Sequence, residues 1–252
     1  MSLSPSLAKS ALAEDYLNAL LDGDRSAART MVDRALNNGT SPAGLLNQLV
    51  WPTMEKIQML YREDHISVSQ LNLATRLNRQ MTDQIAGRLE RLPANGKKAL
   101  IFCGGNEPEE LGGQIAADLF EAAGWEVKFA GGGVPNDEVL RMIGEERPNL
   151  LVMFATLPAG VPDVRKLIDY LREVNSCPEM QILCAGGIYK RAEGLAEEIG
   201  ADLYAPDAAG AVVAATSEPA RRATQEQQTV GRSRRIRKSP TDVAGTIRAE
   251  VA

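Results

Sequence analysis

Three carboxylates in four residues, Glu107, Glu109 and Glu110, stand just past a Cys103-Gly104-Gly105 step. Acids so placed are either hard, anionic ligands or a solvated helix start, where the helix dipole favours negative charge. A second group is more apolar. Trp51, Met54, Gln58 and Tyr61 fall at i, i+3, i+7 and i+10, one stripe of a helix. That stripe either covers a flat ligand or belongs to a bundle core, and Leu45, Leu49, Ile57 and Leu60 already supply another apolar face. His65, the single histidine, follows the stripe. It is a candidate axial ligand or hydrogen-bond donor, against the plainer role of an exposed loop residue or helix cap. Cys103 and Cys184 each end an apolar run. Thiols there are either packing or an attachment point for a vinyl-bearing pigment. No Gly-x-Ser-x-Gly, Walker loop or metal-ligand spacing occurs, which makes a free-standing enzyme the least favoured class. Gly131-Gly132-Gly133 follows the second strand of its unit, so it is a poor dinucleotide fingerprint.

Positioning these groups falls to an alternating pattern that begins at Lys98. Residues 99–103 read as a buried strand and 109–123 as a helix with Leu111, Ile115, Leu119 and Phe120 on one face. Gly124 stops that helix and residues 125–130 resume as strand, completing a βαβ unit. Further strands are expected at 150–154, 181–185 and 202–204. Helices are expected from 135, over 162–175, over 190–199 and from 207. The pattern predicts an α/β domain over 98–216 with a five-stranded parallel, doubly wound sheet of Rossmann-like (flavodoxin-like) form. Ligands should gather at the carboxyl edge of its strands.

Upstream, residues 5–92 read as helices only. Ser4-Pro5 starts the first, and Asp24 caps a second that ends at Asn38-Gly39. Ser41-Pro42 opens a third, running to about residue 63, with Pro52 as a kink or break. Ser67 or Ser69 caps a fourth that runs to about residue 92. A four-helix bundle over 1–92 and a short polar linker over 92–98 are therefore expected. Residues 217–252 are polar, with Arg232, Arg234, Arg235, Arg237 and Lys238 clustered. They read as a flexible solvated tail or as a site for an acidic or nucleic-acid partner.

The net charge of −5 argues against nucleic-acid binding by the folded part. Three cysteines without a Cys-x-x-Cys pair fit a reducing cytoplasm. The first residues lack a signal-peptide pattern, and no apolar run approaches the roughly 18 residues of a membrane helix. A cytoplasmic protein with no membrane partner is expected, its oligomeric state left open.

Helical bundle, linker and five-stranded sheet together resemble the cobalamin-binding module of methionine synthase, corrinoid shuttle proteins and light-sensing cobalamin-dependent repressors. The resemblance rests on ELGGQIAADLFEAAGWEV (110–127), CAGGIYK (184–190) and IGADLYAPDAAGAV (199–212), and it spans roughly residues 10–215. It implies a site between bundle and sheet. In that family the first loop reads D-x-H-x-x-G, its histidine ligating cobalt from below. Here Glu107 stands at the aspartate position, Glu109 at the histidine position and Gly112 at the glycine, with Leu111 beside it. The third-strand S-x-L becomes Ala155-Thr156-Leu157, so a hydroxyl that touches the buried nucleotide tail is gone. Gly186 and Gly187 leave room for a ring near the backbone. The third helix, with Trp51, Met54, Gln58 and Tyr61, would cap the upper face of the tetrapyrrole.

A carboxylate is a poor substitute for imidazole on low-spin cobalt. The leading expectation is therefore a sensory or regulatory protein, even a photoreceptor. It would hold a corrinoid without histidine ligation, or a linear bilin such as biliverdin, or haem, and pass a signal to a protein partner. The alternatives are a corrinoid shuttle that carries methyl groups for a methyltransferase system, and a ligand-free interaction scaffold.

Overall fold

Helix starts are set by side chains that accept the first free amide hydrogens. The computed structural model describes residues 5–104 and 107–224, with side chains over 11–104 and 110–224. Helix α1 (Pro5–Asp22) is followed by α2 (Arg25–Asn37), which Asp24 caps by accepting from the Ala27 amide at 2.9 Å. Ser41 caps α3 (Pro42–Leu45), and Ser67 forms a reciprocal capping box with Gln70 at the start of α5 (Val68–Ala86). Between them, the expected third helix is not a kinked rod. A π-helical stretch (Leu46–Val50) leads into α4 (Trp51–Arg62). Pro52 has no amide hydrogen, and its ring would strike the carbonyl four residues back in a regular α-helix. The wider turn relieves both problems.

That irregular stretch is tied into the bundle by one polar group. Asn78 of α5 is fully buried, donates to the Val50 carbonyl at 3.3 Å and accepts from the Tyr16 hydroxyl at 2.9 Å. Burial pushes the Tyr16 hydroxyl well above its ordinary pKa, so it stays protonated as a donor. The fourth helix ends at Ala86 rather than near residue 92. Residues 92–95 instead run along the next domain, where Leu92 N–H donates to Ala122 O and Asn95 N–H to Gly124 O, both at 2.8 Å.

The sheet follows in strict alternation. Its elements are β1 (Lys98–Cys103), α6 (Glu107–Ala122), β2 (Glu126–Gly132), α7 (Asn136–Glu146), β3 (Leu150–Phe154), α8 (Val161–Val174) and β4 (Gln181–Ala185). Short α9 (Gly187–Arg191) and α10 (Leu195–Glu198) replace the single helix expected over 190–199. Gly194, at φ 79°, breaks it. β5 (Leu203–Ala205) and α11 (Ala208–Ser217) complete the fold. All pairings are parallel and the strand order is β2-β1-β3-β4-β5, as expected for the flavodoxin-like winding. No described helix is long and apolar enough to cross a membrane.

Strand alternation divides the sheet into two apolar faces. Leu151 and Met153 of β3 pack with α7 and α8, whereas Leu150, Val152 and Phe154 join α6, α11 and the bundle in one continuous core. Bundle and sheet thus share a core across the linker. Arg79–Glu110 (3.4 Å) and Gln114–Asp83 (2.5 Å) bridge α5 to α6 along the same seam. On the far side, buried Asp202 accepts from the amides of Ile182 and Ala223, each at 2.8 Å, and meets Arg172 at 2.7 Å.

Asp118 of α6 lies at the seam with its Oδ2 buried and without a hydrogen-bond donor among the described residues. Its carboxyl is pushed up to about 6, first by burial and then by Glu121 and Asp83, against the pull of Arg91. Its native value exceeds its unfolded value, so the native state holds the proton more tightly and stability falls as pH rises from about 4 through 6. Asp118→Asn should remove this fall and raise stability at pH 7.5 by about 1–2 kcal/mol after allowance for solvent screening. Urea midpoints at pH 5 and 7.5 measure it; an unchanged pH slope in the variant would rule it out.

Candidate functional site

The carboxyl ends of β3 and β4 face helix α4, and between them lies an open concavity of about 470 Å3. Its bundle wall is Trp51, Met54, Gln58 and Met59; its sheet wall is Phe154, Thr156, Gly187, Lys190 and Arg191. Stripe residues Trp51, Met54 and Gln58 are buried, as a helix face turned toward a partner layer requires. Trp51 is only 6% exposed, yet its indole Nε1–H has no acceptor among the described residues. A buried donor without an acceptor costs free energy.

Positive charge rings the concavity. Lys190 meets Glu55 at 3.0 Å, tying α9 to α4 across the opening. The Arg191 guanidinium donates to the Thr156 carbonyl. Its pKa is lowered first by burial and then by Arg62 nearby, with Glu55 opposing. Two guanidiniums close enough to repel favour an anion or an acceptor-rich ligand edge between them.

Beneath the rim the expected slot is closed. Phe154, 2% exposed, extends its ring between α6 and the β4 turn and meets Trp51 edge-on, with ring centroids 5.7 Å apart. A Cβ placed on Gly112 would stand 2.6 Å from this ring, and one on Gly186 would stand 2.9 Å from it. Gly186 is also at φ 107°, with a hypothetical Cβ 2.5 Å from the Ala155 carbonyl, so only glycine suits it. Gly113 serves Phe129 in the same way. The room at Gly112 and Gly186 exists but an aromatic side chain fills it. Phe154 carried no signal of its own in the sequence, yet strand alternation sends it toward exactly the helix that bears two glycines.

Other expected site residues are dispersed. Cys103, Ala155 and Leu157 line a separate concavity of about 280 Å3 near the β1/β3 switch, on the other side of Phe154. Leu111 is fully buried in the shared core. Tyr61, 40% exposed on α4, and His65, exposed beyond the helix end and 3.5 Å from Glu63, do not line this concavity. The side chains of Glu107 and Glu109 lie outside the described residues. Glu110 accepts from the Gly132 amide at 3.2 Å and pairs with Arg79, a structural role. Cys184 is fully buried and its thiol is pushed up to about 12 by burial, which excludes it as a nucleophile for pigment attachment. Met59, Arg62, Lys190 and Arg191 were not anticipated. Among the described residues no cluster of His, Cys, Asp and Glu could hold a metal ion.

Family models described as B12 binding domains match residues 12–85 and 94–214. Dimethylamine corrinoid protein 1 of Methanosarcina acetivorans is 20% identical over 211 residues, covering 83% of this chain and 98% of that protein. Monomethylamine corrinoid protein 1 of Methanosarcina mazei is 21% identical over 211 residues, covering 81% of this chain and 96% of its own length. The solved structure of the Methanosarcina barkeri monomethylamine corrinoid protein superposes with a TM-score of 0.71 at 18% identity, over 81% of this chain and 97% of that one, and shows the same fold. Relatives named for corrinoid and methylamine overturn the sensory and photoreceptor expectation and its signal output. They give no support to a bilin or haem as the pigment.

The Phe154 wedge makes a sign-changing prediction. Gly112→Ala should destabilise by about 1–3 kcal/mol through overpacking, despite alanine's better helix propensity. In a Phe154→Ala background the same change should stabilise by up to about 1 kcal/mol, since only propensity remains. Denaturant titration of the double-mutant cycle reads the difference; additive effects would mean that the ring does not press on Gly112.

Proposed function

The chain belongs to the cobalamin-binding module family, through both its helical cap and its α/β domain, and on that premise we propose that it is a corrinoid carrier. In this reading it is the non-catalytic subunit of a methyl-transfer system and presents its cofactor to a separate methyltransferase. The observation that carries the reading is length: methylamine corrinoid proteins align over 96–98% of their own chains.

The residues fit the ring of a corrinoid and not its nucleotide tail. A flat, largely apolar macrocycle suits a concavity whose lid is Trp51, Met54 and Met59. Its rim of amide carbonyls suits Arg62, Lys190 and Arg191. When bound, a corrinoid supplies the metal-centred one-carbon chemistry. The chain would supply orientation and exclusion of water, through α4 on one wall of the concavity and the ends of β3 and β4 on the other. Burial of apolar ring surface at roughly 25 cal/mol per Å2 gives the affinity, and the charged rim sets the ring's rotation.

Loading tests this directly. The full chain, incubated with cobinamide or hydroxocobalamin and desalted, should retain the visible corrinoid bands of at least one of them and show quenched Trp fluorescence. Protein that stays colourless with both would overturn the reading. Glu109→His should raise retention several-fold, because imidazole is the better ligand for low-spin cobalt; no gain would remove residue 109 from the metal's lower side.

A further inference from the structure

We propose that Phe154 makes this module selective for corrinoids that lack a nucleotide tail, the ring lying on the rim with nothing inserted beneath it. The inference rests on the corrinoid reading and adds the ligand class. Gly112 and Gly186 both abut the Phe154 ring, at distances that leave no space for even one more carbon on either glycine. The ring cannot easily leave. It is 2% exposed, lies in the shared core and is backed by Trp51 at 5.7 Å. Swinging it out would expose an aromatic side chain and strip Trp51 of its edge contact. Above the ring the concavity is open and is lined by Trp51, Met54, Lys190 and Arg191, with Arg62 close enough to Arg191 to repel it. The space beside the two glycines is thus filled, while the concavity above stays open. To lie against the glycines a nucleotide tail must displace Phe154, and a tail-free corrinoid need not.

Titration of the full-length protein with cobinamide and with hydroxocobalamin, read by the visible bands and by Trp fluorescence, tests the idea. Wild type should bind cobinamide at least tenfold more tightly. Phe154→Gly and Phe154→Ser, checked for folding by circular dichroism, should bring hydroxocobalamin to within about twofold of cobinamide. Equal affinities or a preference for hydroxocobalamin in wild type would overturn the inference and leave the carrier reading standing. Should neither variant fold, the wild-type comparison decides by itself. Binding of neither corrinoid by wild type or by a folded variant would instead overturn the carrier reading, and the inference with it.

Discussion

One aromatic ring joins the three layers of this protein. Phe154 ends β3, lies against Gly112 of α6 and Gly186 of the β4 turn, and takes the edge of Trp51 from the bundle. The arrangement needs all four residues. A Cβ on either glycine would sit within the ring's van der Waals shell, and without Trp51 the ring's upper edge would face the open concavity. The seating of bundle on sheet, the depth of the ligand concavity and the closure beneath it follow from this contact.

Because the bundle and one sheet face share a core, the cap is not a loose lid. Lifting α4 would break the Lys190–Glu55 pair, which is exposed and worth at most about 1 kcal/mol. It would also part Trp51 from Phe154 and uncover apolar surface, a larger cost of roughly 1.5–3 kcal/mol per side chain. The seam is tuned against this by charge: Arg79–Glu110 and Gln114–Asp83 hold α5 to α6, while Asp118, buried without a donor, opposes them near neutral pH.

The fold was legible because each level of the sequence agreed. Strands with apolar runs, glycine stops after helices and polar caps at Asp24, Ser41 and Ser67 all point to one architecture. Failures occurred where tertiary packing overrides local pattern. Pro52 signals a kink or a break, and the chain absorbs it in a π turn whose carbonyl Asn78 satisfies from another helix. The site was less legible. Glycines at 112 and 186 signal close approach, but sequence does not say whether a ligand or a side chain approaches. Ala155 follows Phe154 and packs on the other sheet face, whereas Cys103 pairs with Phe154 on the same face and Leu157 lies past the strand's end, so the three line a separate concavity.

Glycines kept for a ligand and glycines kept for a neighbouring ring look identical in a motif. In this chain they serve the ring, and the polar groups that remain unmatched lie above it instead. The two halves of the site therefore carry separate information. Closure below is set by packing at near-crystalline density, which admits no partial occupancy. Charge above is set by Arg62 and Arg191, whose mutual repulsion an acceptor-rich molecule would relieve. In the proposed reading, ligand class turns on a hydrocarbon side chain that touches no metal, and ligand orientation on groups that motif comparison alone does not reveal.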